Sequence, residues 1–229
     1  MEVEPLLQRT IQLLPQPGDL TPGALREQLA ENAAVAREQG GRGPAGNSRL
    51  TATVAVALFV LLVAECFTLV AFGSLLSAHV FIGMLLIPPI ALKLASTGYR
   101  FARYYLGSAS YRAAGPPQAL LRILGPVVIA STLALFGSGV AMLVLGPSDG
   151  WVVGLHKASF VVWIAAIVLH VLGHILRVPG LASADYRGPR AGSRGSLLRQ
   201  SGVALALVAG LILAVATLQY AAPWHAVLG

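Results

Sequence analysis

The run LHKASFVVWIAAIVLHVLGH, Leu155–His174, holds three histidines and one lysine in a stretch that is otherwise apolar or small. A segment of this length and composition matches a helix of about 20 residues crossing a hydrocarbon core about 30 Å thick. Ionisable groups inside such a span are expensive to keep there, and by default they mark function. The same run therefore identifies the solvent as lipid and points to where chemistry belongs.

The rest of the chain agrees with this reading. Of 229 residues, 56% are hydrophobic and 11% charged, and the mean hydropathy is +0.74; a soluble domain carries about 25% charged residues. Neither an ordinary soluble domain nor a disordered chain fits. Five stretches have spanning length: Ala52–Phe72, Ala78–Thr97, Leu121–Leu145, Trp151–Leu176 and Val203–Ala222. The expected fold is all-α, a polytopic membrane bundle with five transmembrane helices.

The formal charge of +7 and pI near 10.2 come from arginines beside the spans. They do not form a basic–aromatic surface of the kind that binds nucleic acid. Five arginines precede the first span, and two long connections hold Lys93, Arg100, Arg103, Arg112 and Arg122, then Arg177, Arg187, Arg190, Arg194 and Arg199. The opposite side has Lys157 alone. By the positive-inside bias the N-terminus is expected in the cytoplasm and the C-terminus outside, with the chain in the cell's inner (plasma) membrane. Fourteen arginines against two lysines suggest a GC-rich bacterial genome.

Residues 1–49 mix acidic and basic side chains with Pro15, Pro17 and Pro22. They lack the charged start and apolar run of a signal peptide and read as a loosely ordered cytoplasmic tail ahead of a bundle over residues 50–229. Within the tail, Thr21–Gln39 reads either as a surface segment or as a short amphipathic helix with Thr21 as N-cap and Pro22 in the first turn. The single cysteine, Cys66, permits no internal disulfide and no thiolate cluster. There is no G-x-G-x-x-G fingerprint, nor a polar region large enough for a flavin or nicotinamide domain. A complete NAD(P)H-dependent reductase is thus not expected, and no arrangement suggests hydrolysis.

Four of the five histidines, His79, His156, His170 and His174, lie in or at the ends of spans. Spans two and four run in the same direction, which sets His79 and His156 at similar depth near one membrane face. Two imidazoles at one level on parallel helices can hold a haem iron from both sides. His156 and His170 are 14 residues apart, a step of about 21 Å along a helix that returns to within about 40° of the same face. This spacing would place a second haem across the bilayer. The equivalent step from His79 leads to Lys93, so the inner group would sit between His170 and either Lys93 or no protein ligand. His174 shares the face of His170 and is an alternative inner ligand. The i, i+4 pair also resembles a zinc site, but no carboxylate or cysteine completes it, and hydrogen-bonded packing histidines are the plain alternative.

Other residues suit a porphyrin. Gly83 and the run FGSGVAM, Phe136–Met142, remove side chains where a flat ring needs room, although glycine also serves helix packing. Arg100, Arg103 and Arg177 could meet propionates at the inner surface, or belong to an aromatic and basic interface belt. Glu65, the one carboxylate within a span, lies at the depth of the outer haem. It could hydrogen-bond a ligand histidine, accept a quinol proton, or pair with a neighbouring hydroxyl. Lys157 could offset a propionate or anchor its helix end, and Trp224–His225 reads as an interface anchor.

On His79, the pair His156 and His170, and the run Leu155–His174, the chain resembles the membrane b-type cytochromes, in particular the ferric-reductase-like group and small cytochrome b subunits. The resemblance covers about residues 52–222. It implies a helical bundle with one or two haem b groups that moves electrons between a quinol pool and an external partner oxidoreductase. Di-haem members carry two histidines on each of two helices, and here Lys93 stands in place of one. Some small members that serve a periplasmic molybdenum enzyme are similar in lacking a histidine, which implies a periplasmic redox partner. The rival reading is a non-redox transporter or scaffold with a histidine-lined polar path.

Overall fold

The structure is a computed structural model that describes residues 21–23, 26, 43–114, 119–147, 150–176, 178–187 and 193–228. Residues 1–41 form one unit and residues 42–229 another. In the first, Pro22, Gly23 and Arg26 are helical; the remainder of the expected Thr21–Gln39 helix lies outside the described residues, as does Arg177.

Among its described residues the second unit consists of helices joined by turns, with no strand. Five helices are long and apolar enough to cross a membrane: α1 (Pro44–Thr68), α2 (Phe72–Tyr105), α4 (Ala119–Leu145), α5 (Gly150–Leu172) and α7 (Arg194–Thr217). Shorter helices α3 (Ala109–Ala113), α6 (Val178–Arg187) and α8 (Ala222–Leu228) connect or follow them, α8 after a 3-10 turn at Leu218–Ala221. Large apolar side chains such as Val60, Phe67, Val161 and Ile212 face outward, each more than half exposed. That surface suits lipid and not water.

Local chemistry sets the helix ends. α1 begins eight residues ahead of its apolar run because Pro44 takes the first helical position, where a missing N–H is harmless. Ser193 caps α7, its hydroxyl accepting from the Ser196 amide at 3.3 Å. After α4 the chain turns through Gly146 at φ +75° and then Pro147, the residue pair that commonly stops a helix.

The bundle has two parts. α1, α2 and α7 pack together around Val54, Leu58, Leu86 and Val203, with α6 lying against α1. α4 and α5 form a hairpin, tied by Trp163 Nε1 donating to Thr132 Oγ1 at 3.0 Å. The hairpin meets the three-helix part along a short line between α2 and α4, which leaves room between them.

A polar seam joins α1 to the C-terminal half of α2. Asn47 Nδ2 donates to Ser96 O at 3.0 Å, and the Thr51 and Ser96 hydroxyls meet at 2.9 Å. Lys93 Nζ donates to Thr51 O at 2.8 Å, and Arg100 to Ser48 Oγ at 3.2 Å.

The contact between α2 and α7 depends on a broken hydrogen-bond ladder. Pro88 and Pro89 inside α2 have no N–H to offer the carbonyls four residues back, Met84 and Leu85. The Leu85 carbonyl faces α7 at Gly210, so closely that a Cβ there would collide with its oxygen and stand 3.1 Å from its carbon. Gly210→Ala is expected to push α7 off α2 and lower stability by about 1–3 kcal/mol, the range for overpacking. Thermal unfolding in detergent measures this, and an unchanged midpoint would show that the helices part freely.

Candidate functional site

The room between the two parts is a cavity of about 460 Å³, within the roughly 300–1,000 Å³ of cofactor and ligand sites. It lies between the C-terminal halves of α1 and α4 and the N-terminal halves of α2 and α5. Its walls are apolar, including Leu62, Met84, Leu135, Phe136, Phe160 and Trp163, and its polar groups are few: Glu65, Cys66, His79, His156 and Lys157. α2 supplies His79 and α5 supplies His156, so the two histidines reach one cavity from opposite parts of the bundle.

Both imidazoles are held by the same nitrogen. His156 Nδ1 is 3.1 Å from Leu135 O and 3.1 Å from Ser138 Oγ. A carbonyl only accepts, and the Ser138 hydroxyl proton goes to Ala134 O at 2.6 Å. Nδ1 therefore carries the ring proton, and in the neutral imidazole Nε2 is a bare lone pair. The ring fits because α4 has Gly139 beside it: a Cβ there would stand 3.3 Å from His156 Cε1.

At His79, Nδ1 lies 2.9 Å from Thr68 Oγ1 and 3.0 Å from Glu65 Oε1. The Thr68 hydroxyl donates to Glu65 O at 2.5 Å, so its oxygen is an acceptor toward the ring. Again Nδ1 is the donor and Nε2 the available lone pair. Phe72 packs edge-on against the ring, centroids 5.3 Å apart. A ligating histidine characteristically donates its second ring N–H to a carbonyl or carboxylate, which fixes tautomer and orientation; both rings are held in this way.

Gly83 also lines the cavity, and a Cβ there would stand 3.4 Å from Glu65 Oε1. Its small size thus makes room for the carboxyl. Lys157 is exposed at the cavity edge. Trp224, read from sequence as a surface anchor, is buried and lines the cavity. Its indole donates to Met142 O at 3.2 Å, while the neighbouring His225 meets Ser77 Oγ at 2.7 Å. α8 thereby closes one end of the space.

The other histidines sit elsewhere. His170 and His174 stack on each other, centroids 4.7 Å apart, and His174 Nδ1 bonds His170 O at 3.0 Å. His170 Nδ1 is buried without a hydrogen bond. Lys93 is engaged in the α1–α2 seam, and Arg103 reaches Ser108 Oγ at 3.3 Å and overlies Tyr111. Neither they nor Arg100 line the cavity. Burial pushes the Tyr111 phenol above its ordinary pKa.

Among the described residues no three His, Cys, Asp or Glu side chains gather as a metal site. Two histidines that line one cavity from different helices are a donor set that could serve a haem iron. The apolar walls, the two free Nε2 atoms and the cation at the edge fit such a group. Fold and site together define a multi-helix, membrane-spanning-type chain with a histidine-lined cavity between its two parts. No family model matches the chain, and no curated protein or solved structure does so either.

Proposed function

We propose that the chain is a membrane-embedded b-type cytochrome subunit that holds haem b between His79 and His156 and carries electrons between a quinol pool and a partner oxidoreductase outside the membrane. The observation that carries this reading is the pair of Nδ1-anchored histidines on one apolar cavity. Haem supplies one-electron chemistry when bound, and the protein supplies ligation, orientation and dielectric.

The division of labour follows from the residues. His79 and His156 present Nε2, and Leu135, Ser138, Thr68 and Glu65 hold the rings. The apolar walls exclude water, and Lys157, exposed at the cavity edge, would be available to a propionate. The arginine distribution supports an N-terminus in the cytoplasm, and hence a cavity in the outer half of the bilayer. A second haem has less support, because Lys93 Nζ is committed to the Thr51 carbonyl and the α1–α2 seam closes around it. The reading therefore takes one haem per chain.

Purified protein from a haem-sufficient host tests this directly. The expected result is a reduced-minus-oxidised spectrum with the sharp α-band of a six-coordinate b-type haem, and a pyridine extract giving one haem per chain. A chain that folds and spans the membrane without that band overturns the cytochrome reading and favours a histidine-lined path or packing role.

A further inference from the structure

The C-terminal end of α2 leaves the bundle as a basic and aromatic collar. Tyr99, Phe101, Tyr105 and Leu106 are each more than half exposed, a composition that settles at the depth of lipid headgroups. Gly107, at φ +93°, then turns the chain back, and Tyr111 on α3 packs edge-on against Tyr99 with ring centroids 6.0 Å apart. Two guanidiniums meet at this turn. Arg103 donates to Ser108 Oγ at 3.3 Å and lies 6.0 Å from the Tyr111 ring centre. Arg112 lies over Gly107, where a Cβ would stand 3.2 Å from its terminal nitrogen. Both arginines are exposed, and among the described residues neither forms an ion pair.

Tyr111 adds a second, independent sign. It is 5% exposed, yet its hydroxyl makes no hydrogen bond among the described residues, and both Arg103 and Arg100 lie within electrostatic reach of it. Buried hydroxyls are nearly always hydrogen-bonded; this one is an unused donor beside guanidiniums that no carboxylate neutralises, the surroundings of a bound anion. We propose that the turn binds the phosphate of an anionic phospholipid, with Arg103 and Arg112 supplying the charge and Tyr111 Oη a hydrogen bond. The planar guanidinium fork suits a phosphate. The exposed aromatic and apolar side chains around the turn offer a surface to acyl chains, which a free phosphate would not need. In the orientation that the arginine distribution supports, the site faces the cytoplasmic leaflet, where anionic lipid attracts basic segments. It is separate from the histidine cavity and does not depend on haem.

The test titrates the full chain in detergent with phosphatidylglycerol, phosphatidylcholine or inorganic phosphate, counting bound lipid by native mass spectrometry and following the thermal midpoint in parallel. Phosphatidylglycerol is expected to bind and to raise the midpoint, and the other two to leave it unchanged. Arg103→Gln or Arg112→Gln weakens phosphatidylglycerol binding by about fivefold, and the double variant by about 30-fold, the scale of one arginine near an anionic lipid surface. Arg187→Gln, at an exposed arginine that ends α6, leaves binding unchanged. Tyr111→Phe keeps the ring and removes only the unpartnered hydroxyl. It is expected to hold the wild-type midpoint without lipid and to lose affinity several-fold, and it carries the test should an arginine variant not accumulate. Wild-type affinity in Tyr111→Phe and in the double variant would overturn the site, as would an equal loss in Arg187→Gln, which would reduce the effect to net charge. A midpoint raised as much by phosphatidylcholine or inorganic phosphate as by phosphatidylglycerol would overturn the assignment to anionic lipid.

Discussion

On the proposed haem reading, substitution of His156 by alanine is expected to strip haem from the purified chain, and substitution of His79 to do the same, while His170→Ala, His174→Ala and His225→Ala leave haem content at the wild-type level. The reason is the division of the bundle. His79 belongs to the three-helix part and His156 to the α4–α5 hairpin, and the cavity between them is the place where both rings present a free Nε2. Losing a group behind a ligand typically weakens metal binding by about 10–100-fold, and losing the ligand itself removes more than that. His225 is engaged by Ser77 on α2 and does not line the cavity, and the stacked His170 and His174 lie at the other end of α5.

Pyridine extraction of each variant gives the haem-to-chain ratio, and circular dichroism shows that the helices remain. Full haem content in both His79→Ala and His156→Ala would sink the ligand assignment. Loss confined to His170→Ala or His174→Ala would move the site to the other half of the bundle.

Much of this arrangement was legible in the residues alone. The five long helices follow from hydropathy because a bilayer requires uninterrupted apolar length. Short connections between α1 and α2 and between α4 and α5 set the depth of each histidine, so the juxtaposition of His79 and His156 could be expected before any coordinates. What hydropathy does not encode is the rotation of each helix about its axis. The choice of His79 among the partners the sequence left open to Glu65, and the turning of Trp224 into the cavity, both depend on that rotation. Depth alone placed Lys93 level with His170; that its ammonium donates to the Thr51 carbonyl on α1 depends on the same rotation.

The Asp185 cluster was invisible for a different reason. Val178–Arg187 is a mixed segment between two spans, with no periodicity to announce that one of its carboxylates is buried. In the structure Asp185 is 1% exposed, and Arg199 grips it with two bonds of 2.6 Å, from Nε and from a terminal nitrogen. Arg49 approaches the same carboxylate at 3.5 Å. Ser196 Oγ and Gln200 Nε2 donate to the Asp185 carbonyl at 2.9 and 3.2 Å. This cluster joins α6 to the first two turns of both α1 and α7.

Asp185→Ala is therefore expected to be the most destabilising single change outside the cavity, by about 3–5 kcal/mol, the range for removing one partner of a buried ion pair. The penalty arises because the Arg199 guanidinium, 7% exposed, stays buried while losing two charge-assisted hydrogen bonds. Arg49→Ala should lower stability by no more than about 1 kcal/mol, since its single longer contact, on a side chain 17% exposed, resembles a partly solvated pair. Asp185→Asn should fall between them, because an amide oxygen still accepts from one guanidinium nitrogen but brings no charge. Thermal unfolding of the three variants in detergent gives this order directly. An Asp185→Ala protein that unfolds with the wild type would mean that the cluster decorates the membrane surface and does not join the helices.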